Sequence, residues 1–263
     1  MQAPPHGWVC GGTRPVLALH CSLAHGGVWR GLTQHLTGIT VTAPDQIGHG
    51  KAYDWDGVSD LIGQATDEAL SRLQFIGGGA PVDLFGHSFG GVVSLRIAAE
   101  HPQLVRSLTL FEPVLFAAAR GTKTYDDFRA QHLQFSALVQ AGHRVEAARV
   151  FHGFWGTGET LDSLPARTRD YIIDRIHLIV AQNPVLLDDA AQILRAGALE
   201  ALTVPVLLVE GANSPPIIDA VMANLADRLR FATRLSVAGS AHMAPITHAQ
   251  DVAQAVQAQL DAS

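Results

Sequence analysis

The sequence contains little cysteine and few signals for export. Only two of its 263 residues are cysteines, Cys10 and Cys21, and their separation fits neither a metal site nor a redox pair. The first residues, MQAPPHGWVCGG, lack the charged and apolar regions of a secretory signal. Because disulfides accumulate in oxidising compartments, we expect two reduced thiols in a cytoplasmic protein.

Charge and long apolar runs are also scarce. Charged residues make up 16% of the chain and the formal net charge is −6, whereas a nucleic-acid-binding domain usually carries a basic excess. No window approaches the run of about 18 apolar residues that crosses a membrane. We therefore expect a small-molecule substrate as partner, no nucleic acid and no membrane, and the sequence leaves a homodimer open.

Hydrophobic residues, which make up 48% of the chain, fall into strand-like runs that alternate with helix-like segments. Nearly continuous apolar strands of this kind are typical of a parallel sheet covered by helices on both faces. The sequence thus predicts a doubly wound, mostly parallel α/β fold, whose ligands bind at the carboxyl ends of the strands. The strand-like runs include PVLALH (15–20), ITVTAPD (39–45), VDLFGHS (82–88), VRSLTLFEP (105–113), VPVLLVEG (204–211) and ATRLSVAG (232–239).

The strand rhythm stops between residues 114 and 200, where the segments are mostly helical. The sequence therefore predicts a core formed by residues 1–113 and 201–263, with 114–200 inserted as a helical cap. An insertion that follows the carboxyl end of a strand would lie over the ligand edge of the sheet.

A serine motif stands between a predicted strand and a predicted helix. GHSFGG (86–91) contains G-x-S-x-G, with Gly86, Ser88 and Gly90. A tight strand-to-helix turn leaves no room for side chains beside the serine and exposes its oxygen above the sheet. The adjacent helix N-terminus favours a developing oxyanion. This context indicates a nucleophile instead of a glycine-rich turn with an incidental serine.

The chain resembles the α/β-hydrolase fold superfamily from about residue 15 to its end. LALHCSLAHGGVW (17–29) resembles the oxyanion-hole segment of that family, with Cys21 in place of the usual glycine. TAPDQIGHG (42–50) resembles the loop after the next strand, and GSAHMAP (239–245) resembles the histidine loop. The resemblance implies a serine hydrolase with a helical cap, and neither a metal nor an organic cofactor.

Roles follow from position in this fold. Ser88 is the expected nucleophile, and His242, which follows the last strand, is the expected base. Backbone N–H groups of Phe89 and, by resemblance, Ser22 would form the oxyanion hole, with Leu23 as the next choice after Ser22. A nucleophilic Cys21 is a rival interpretation that lacks the strand-turn-helix context.

The acid of the triad is missing from its usual place in the family, where Ser214 stands. Glu112 ends a neighbouring strand, and some α/β-hydrolase-fold members, such as haloalkane dehalogenases and certain lipases, resemble this arrangement with an acid after that strand. We expect Glu112 to be the acid, which gives the order Ser88, Glu112, His242. Asp219 is the alternative, and a glutamate that only caps a helix or pairs with a cation is the other interpretation of Glu112.

The leading functional hypothesis is a serine hydrolase that cleaves a small apolar carboxylic ester, thioester or lactone through an acyl-enzyme. A carbon–carbon bond hydrolase of the aromatic-degradation type is the alternative within the family. A binding protein without activity is the alternative of another class, which the serine at position 214 keeps open. Expected pocket residues are Leu23, Phe116, Phe154, Trp155 and Met243.

Overall fold

A computed structural model of the protein describes residues 5–263. Six strands form one sheet in the order β2-β1-β3-β4-β5-β6. Their bounds are β1 (His6–Leu19), β2 (Ile39–Ala43), β3 (Val82–His87), β4 (Val105–Phe111), β5 (Val206–Gly211) and β6 (Ala232–Val237). The mostly parallel, doubly wound fold that the sequence predicts is confirmed.

Pairing in the sheet is parallel except at one end. Strands β1, β3, β4, β5 and β6 pair in parallel with their neighbours. At the other end, β1 pairs with β2 in an antiparallel register that runs from His6–Ala43 to Cys10–Ile39, and the register shifts after Cys10. The parallel strands therefore present their carboxyl ends along one edge of the sheet, where ligands of such sheets bind.

Helices cover both faces of the sheet because alternate strand residues point to opposite sides. The helices are α1 (Arg30–Thr33), α2 (Leu61–Gly77), α3 (Phe89–Glu100), α4 (Lys123–Gln140), α5 (Arg144–Trp155), α6 (Ala166–Arg175), α7 (His177–Ala181), α8 (Asn183–Leu186), α9 (Pro216–Arg228), α10 (Ala244–Thr247) and α11 (Ala249–Asp261). Leu84 of β3 packs in one apolar cluster with α2, α3 and α9, whereas its neighbour Phe85 packs in a second cluster with α1 and α11.

Between β4 and β5, a stretch that is described throughout, the chain forms helices α4 to α8 and no strand. Part of this segment packs on the core: Phe116, Phe128 and Trp155 belong to the same apolar cluster as the sheet residue Leu84. A smaller cluster, which includes Phe135 and Ile176, lies between the helices themselves. The division into a core and a cap at residues 114–200 stays a prediction.

Within residues 5–263, none of the helices combines the length and the apolar character that a membrane span requires. Both cysteines are free thiols. The cytoplasmic location expected from the sequence stays a prediction.

Candidate active site

The turn after β3 holds Ser88 in a backbone conformation that few serines adopt. Its φ is 56° and its ψ is −115°, which lies outside the regions favoured by L-residues. The flanking glycines are required by space, since a Cβ atom at Gly86 would lie 2.6 Å from the carbonyl oxygen of Gly90, and one at Gly90 would lie 2.3 Å from that of Leu19. The chain therefore forms a strained strand-to-helix turn of the kind that can present a nucleophilic serine.

His242 lies next to Ser88, at the end of the loop that joins β6 to α10. Its Nε2 atom is 3.0 Å from Ser88 Oγ, within the reach that a general base needs. Both residues are buried, and Trp155 packs on the histidine with 4.6 Å between ring centroids. The two residues, separated by 154 positions in the sequence, are thus arranged for proton transfer.

Glu112 forms a hydrogen bond with the other ring nitrogen of His242. Its Oε2 atom is 2.7 Å from His242 Nδ1, within the range of a charge-assisted hydrogen bond. The residue follows β4 with a φ of 45°, and its backbone N–H donates to the carbonyl oxygen of Val209 in β5. The chain bends at the end of β4, and the Glu112 side chain extends across the edge of the sheet to the loop that contains His242.

The second oxygen of Glu112 accepts two hydrogen bonds. Gly211 N donates to Oε1 at 2.6 Å and Ser214 Oγ donates to it at 2.5 Å. Burial raises the pKa of the Glu112 carboxyl, but hydrogen bonds and charge interactions with His242, together with the bonds from Gly211 and Ser214, outweigh that effect and lower the pKa overall. Ser214, at the family's usual acid position, therefore supports the carboxylate instead of replacing it.

Replacing Ser214 with alanine should lower kcat for the ester hydrolysis that the sequence predicts, without abolishing it. The carboxylate would lose one of two donors to Oε1, so we expect a roughly 3- to 10-fold fall, the effect of one hydrogen bond. The neighbouring exposed Asn213 provides the matched control, because Asn213→Ala leaves this network intact. A fall as large as that caused by removing the carboxylate would contradict the supporting role.

Asp219, the alternative acid, forms an ion pair with Arg234. Asp219 is a largely exposed residue of α9 whose carboxylate pairs with Arg234 at 2.5 Å. The same arginine pairs with Glu210 at 2.7 Å. The structure thus brings Glu112, and not Asp219, to His242.

The expected oxyanion donors belong to two separate turns, one after β1 and one after β3. Phe89 N is the first helical N–H of α3 and has no acceptor within that helix, and Ser22 lies in the turn after β1. Neither N–H donates to another residue in the described part of the chain. Both are therefore available to an oxyanion.

His20 is hydrogen-bonded within the core and Cys21 is buried. His20 Nδ1 donates to the carbonyl oxygen of Cys21 at 2.7 Å, and its Nε2 accepts from Gln46 N at 3.0 Å, which ties the donor loop to the loop after β2. Burial raises the pKa of the Cys21 thiol to about 12. The protonated thiol is a poor nucleophile, and this argues against the rival interpretation.

A contact of His87 is among the features that the sequence alone did not reveal. His87 Nε2 donates to the carbonyl oxygen of His242 at 2.8 Å. Burial, followed by repulsion from His242, lowers the pKa of His87 to about 3, so the ring is neutral. His87 positions the loop of the expected base, and only its place directly before Ser88 hinted at this role.

A cavity of about 340 Å³, called the inner cavity below, opens beside Ser88. Of the expected pocket residues, Phe116 and Trp155 line it. The structure corrects the other three: Leu23 packs against a cluster between the helices, Phe154 lines a neighbouring cavity, and Met243 is not among the lining residues. The full lining is Ser22, Ser88, Val114, Phe116, His132, Phe151, Trp155, Ile179, Gln182, Leu186 and His242.

The neighbouring cavity, called the outer cavity, measures about 400 Å³. Three residues line both cavities and form their shared wall: His132, Phe151 and Trp155. Sequence reasoning did not single out His132 or Gln182, the polar residues of the inner cavity contributed by the helical segment. A histidine and a glutamine on helices carry no local signal of where they face.

Within residues 5–263, one group of side chains outside the site could hold a metal ion. The ligand atoms of His6, His25 and Asp45 lie within 4.8 Å of one another. Both carboxylate oxygens of Asp45 already accept backbone N–H groups, from Gly26 and Lys51. None of these residues lines the inner cavity.

Comparison with known proteins identifies the class to which this fold and site belong. The model of the alpha/beta hydrolase fold family matches residues 14–249. The chain belongs to the α/β-hydrolase fold family, as its sequence motifs predict.

Curated relatives narrow this class to enzymes named for ester hydrolysis. The chain is 28% identical over 260 residues to lipase LipV of Mycobacterium tuberculosis, covering 95% of this chain and 94% of that protein. It is 32% identical over 225 residues to the pimeloyl-[acyl-carrier protein] methyl ester esterase of Neisseria meningitidis serogroup C, covering 80% and 78%. These relatives support ester-hydrolase activity in general.

Solved structures share the fold. The enol-lactonase from Burkholderia xenovorans LB400 aligns with a TM-score of 0.74 at 22% identity and covers 97% of this chain and 96% of its own. A thermophilic esterase from Thermogutta terrifontis aligns with the same TM-score at 19% identity, covering 97% and 92%. At these identities the likeness concerns the fold alone.

Proposed function

We propose that this protein is a serine hydrolase that cleaves a small apolar carboxylic ester, or a thioester or lactone, through an acyl-enzyme. The observation that carries the proposal is the hydrogen-bonded series from Ser88 Oγ to His242 Nε2 at 3.0 Å and from His242 Nδ1 to Glu112 at 2.7 Å. Ser88 and His242 line the inner cavity, whose walls are mostly apolar. The carbonyl group of the substrate would bind there.

Acylation begins with proton transfer. His242 Nε2 accepts the Ser88 proton as Oγ attacks the carbonyl carbon, and the Glu112 carboxylate stabilises the imidazolium that forms. The N–H groups of Ser22 and Phe89 bind the oxyanion of the tetrahedral intermediate. His242 then donates its proton to the departing alcohol, which leaves the acyl group on Ser88.

Deacylation repeats these steps with water. His242 accepts a proton from water, the hydroxide adds to the acyl carbon, and the same two N–H groups bind the oxyanion. Collapse of the intermediate releases the carboxylic acid, and the proton returns to Ser88 Oγ.

The lining of the inner cavity supports an apolar, neutral substrate. Eight of the residues that line the inner cavity come from segment 114–200, and most of these eight are apolar. Among the described residues, no Asp, Glu, Lys or Arg lines the cavity, so nothing there would pair with a charged substrate.

Segment 114–200 is proposed to act as the cap of this site. It contributes eight of the eleven lining residues, which are Val114, Phe116, His132, Phe151, Trp155, Ile179, Gln182 and Leu186. A cap excludes water, which strengthens electrostatic interactions at the reacting carbonyl.

Hydrolysis of p-nitrophenyl esters of increasing chain length tests the proposal. We expect kcat/KM to be highest for acetate to hexanoate and to fall at least about 10-fold for dodecanoate, because additional buried methylenes exceed the inner cavity. Phe151→Ala should open the shared wall to the outer cavity and raise the dodecanoate-to-butyrate ratio. Phe75→Ala, at a residue 79% exposed on the surface, is the matched control.

Other outcomes would favour the alternatives. Cleavage of a vinylogous diketone, with no cleavage of the esters, would indicate a carbon–carbon bond hydrolase. Inertness towards both substrate classes would favour a binding protein, although Ser214 no longer argues for that interpretation since it donates to Glu112.

A further inference from the structure

His132 is a buried polar residue in the wall between the two cavities. It belongs to α4, is 8% exposed and lines both the inner and the outer cavity. Aromatic rings surround it: Phe116, Phe128 and Phe135 lie with centroids 6.3, 5.5 and 5.5 Å from its own. A histidine among aromatic side chains needs hydrogen bonds to offset its burial.

A short series of hydrogen bonds orients the His132 ring. Its Nε2 atom lies 2.7 Å from Asn183 Oδ1. The amide nitrogen of Asn183 donates to Ser136 Oγ at 3.1 Å. Ser136 Oγ in turn donates to the carbonyl oxygen of His132 at 2.9 Å. Each donor in this series has one acceptor.

The series determines which nitrogen of His132 carries the proton. Asn183 uses its amide nitrogen towards Ser136, so it presents its oxygen to His132. An amide oxygen only accepts hydrogen bonds, so His132 Nε2 must be the nitrogen that carries the proton. Burial lowers the pKa of His132, which keeps the ring neutral near pH 7.

The other nitrogen, Nδ1, is left with a free lone pair. In the described part of the chain, no residue donates a hydrogen bond to it. It is also not among the fully enclosed side-chain atoms that lack a partner, so it is accessible in a residue that lines the cavities. A neutral imidazole nitrogen without its proton is an acceptor only.

We propose that His132 is a specificity residue whose Nδ1 atom accepts a hydrogen bond from a hydroxyl group of the substrate. The preferred substrate class is then a neutral ester that carries a hydroxyl group on its alcohol or acyl part. This inference rests on the proposed ester hydrolysis. Asn183 acts as a positioning residue, because it holds the ring in the tautomer that accepts.

Apolar walls increase the effect of a single acceptor. An ester whose hydroxyl found no acceptor in the inner cavity would lose its hydrogen bonds to water on binding. His132 would replace one of them. An ether or alkyl group at the same place would instead leave Nδ1 without a partner, which penalises that substrate.

Matched butyrate esters test the alcohol side. The hydroxyl substrate is 2-hydroxyethyl butyrate; 2-methoxyethyl butyrate has a similar leaving group without a donor, and propyl butyrate has a similar size without a donor. Methyl 3-hydroxybutanoate and methyl 3-methoxybutanoate test the acyl side. We expect the wild type to prefer the hydroxyl ester on one of the two sides by roughly 3- to 10-fold in kcat/KM, the effect of one neutral hydrogen bond.

Three variants assign that preference to His132. His132→Phe removes the acceptor and should abolish the preference, whereas His132→Gln keeps an acceptor and a donor and should restore part of it. Phe135→Leu changes an apolar neighbour of the ring and should leave the ratio between matched esters unchanged, whatever it does to the absolute rates. Circular dichroism checks that each variant is folded.

The outcomes separate this inference from the proposed function. No hydrolysis of any ester by the wild type would overturn both. Hydrolysis with equal kcat/KM within each pair, or with a preference that survives in His132→Phe, would overturn only the role of His132. Long-range ¹H–¹⁵N NMR of protein labelled at histidine gives an independent test in the wild type, where a proton on Nδ1 instead of Nε2 would contradict the proposal.

Discussion

Replacing Ser88 with alanine should lower kcat for ester hydrolysis by roughly 10⁴-fold or more, as expected when the nucleophile of such a triad is removed. The hydroxyl oxygen that His242 contacts at 3.0 Å would be absent, so no acyl-enzyme could form. A fluorophosphonate probe, which reacts with activated serines, should label the wild type and fail to label Ser88→Ala.

Ser71→Ala provides the control, since Ser71 is exposed on α2. It should retain both hydrolysis and labelling. Alanine meets the same backbone strain at φ 56° as serine does, so Ser88→Ala should also unfold at a temperature close to that of the wild type. A folded Ser88→Ala protein that still reacts with the probe would show that the nucleophile is elsewhere.

Replacing Glu112 with glutamine should lower kcat by roughly 10⁴-fold, the effect of misorienting the histidine of a triad. Gly211 N and Ser214 Oγ both donate to one oxygen of Glu112, so the glutamine oxygen would stay with them. The amide nitrogen would then face His242 Nδ1 and donate to it. His242 Nε2 would carry the proton and could not accept one from Ser88.

Asp219→Asn is the matched control for this experiment. It removes the same charge from the alternative acid, whose partner is Arg234 at the surface, and a surface pair of this kind contributes little. We expect kcat within about 2-fold of the wild type on that basis. Full activity of Glu112→Gln together with inactive Asp219→Asn would instead identify Asp219 as the acid.

The family and the serine turn could be predicted because their signals are local. GHSFGG combines small residues with a serine between a strand and a helix, and the structure places Ser88 at such a turn with φ 56°. Glu112 required one further step, since it comes from a different strand. Adjacent parallel strands end at one edge of the sheet, and β4 lies next to β3, the strand that precedes Ser88.

Expectations about the pocket succeeded less often because they depend on which way a side chain faces. Consecutive residues of a helix are about 100° apart around its axis. Trp155 therefore lines the inner cavity, whereas Phe154 lines only the outer one. Leu23 and Met243 lie in loops, where no periodicity indicates the direction of a side chain.

The sequence by itself determined the fold, the serine turn and the order of the expected triad. These depend on backbone preferences and on residue types at short spacing. Only the tertiary structure decided which residues Ser214 and His132 contact. Ser214 reaches Glu112 over 102 positions and Asn183 reaches His132 over 51, and a hydrogen bond exists only when packing brings both partners within about 3 Å. Such contacts result from the packing of the whole core, and a short stretch of sequence does not contain the information that determines this packing.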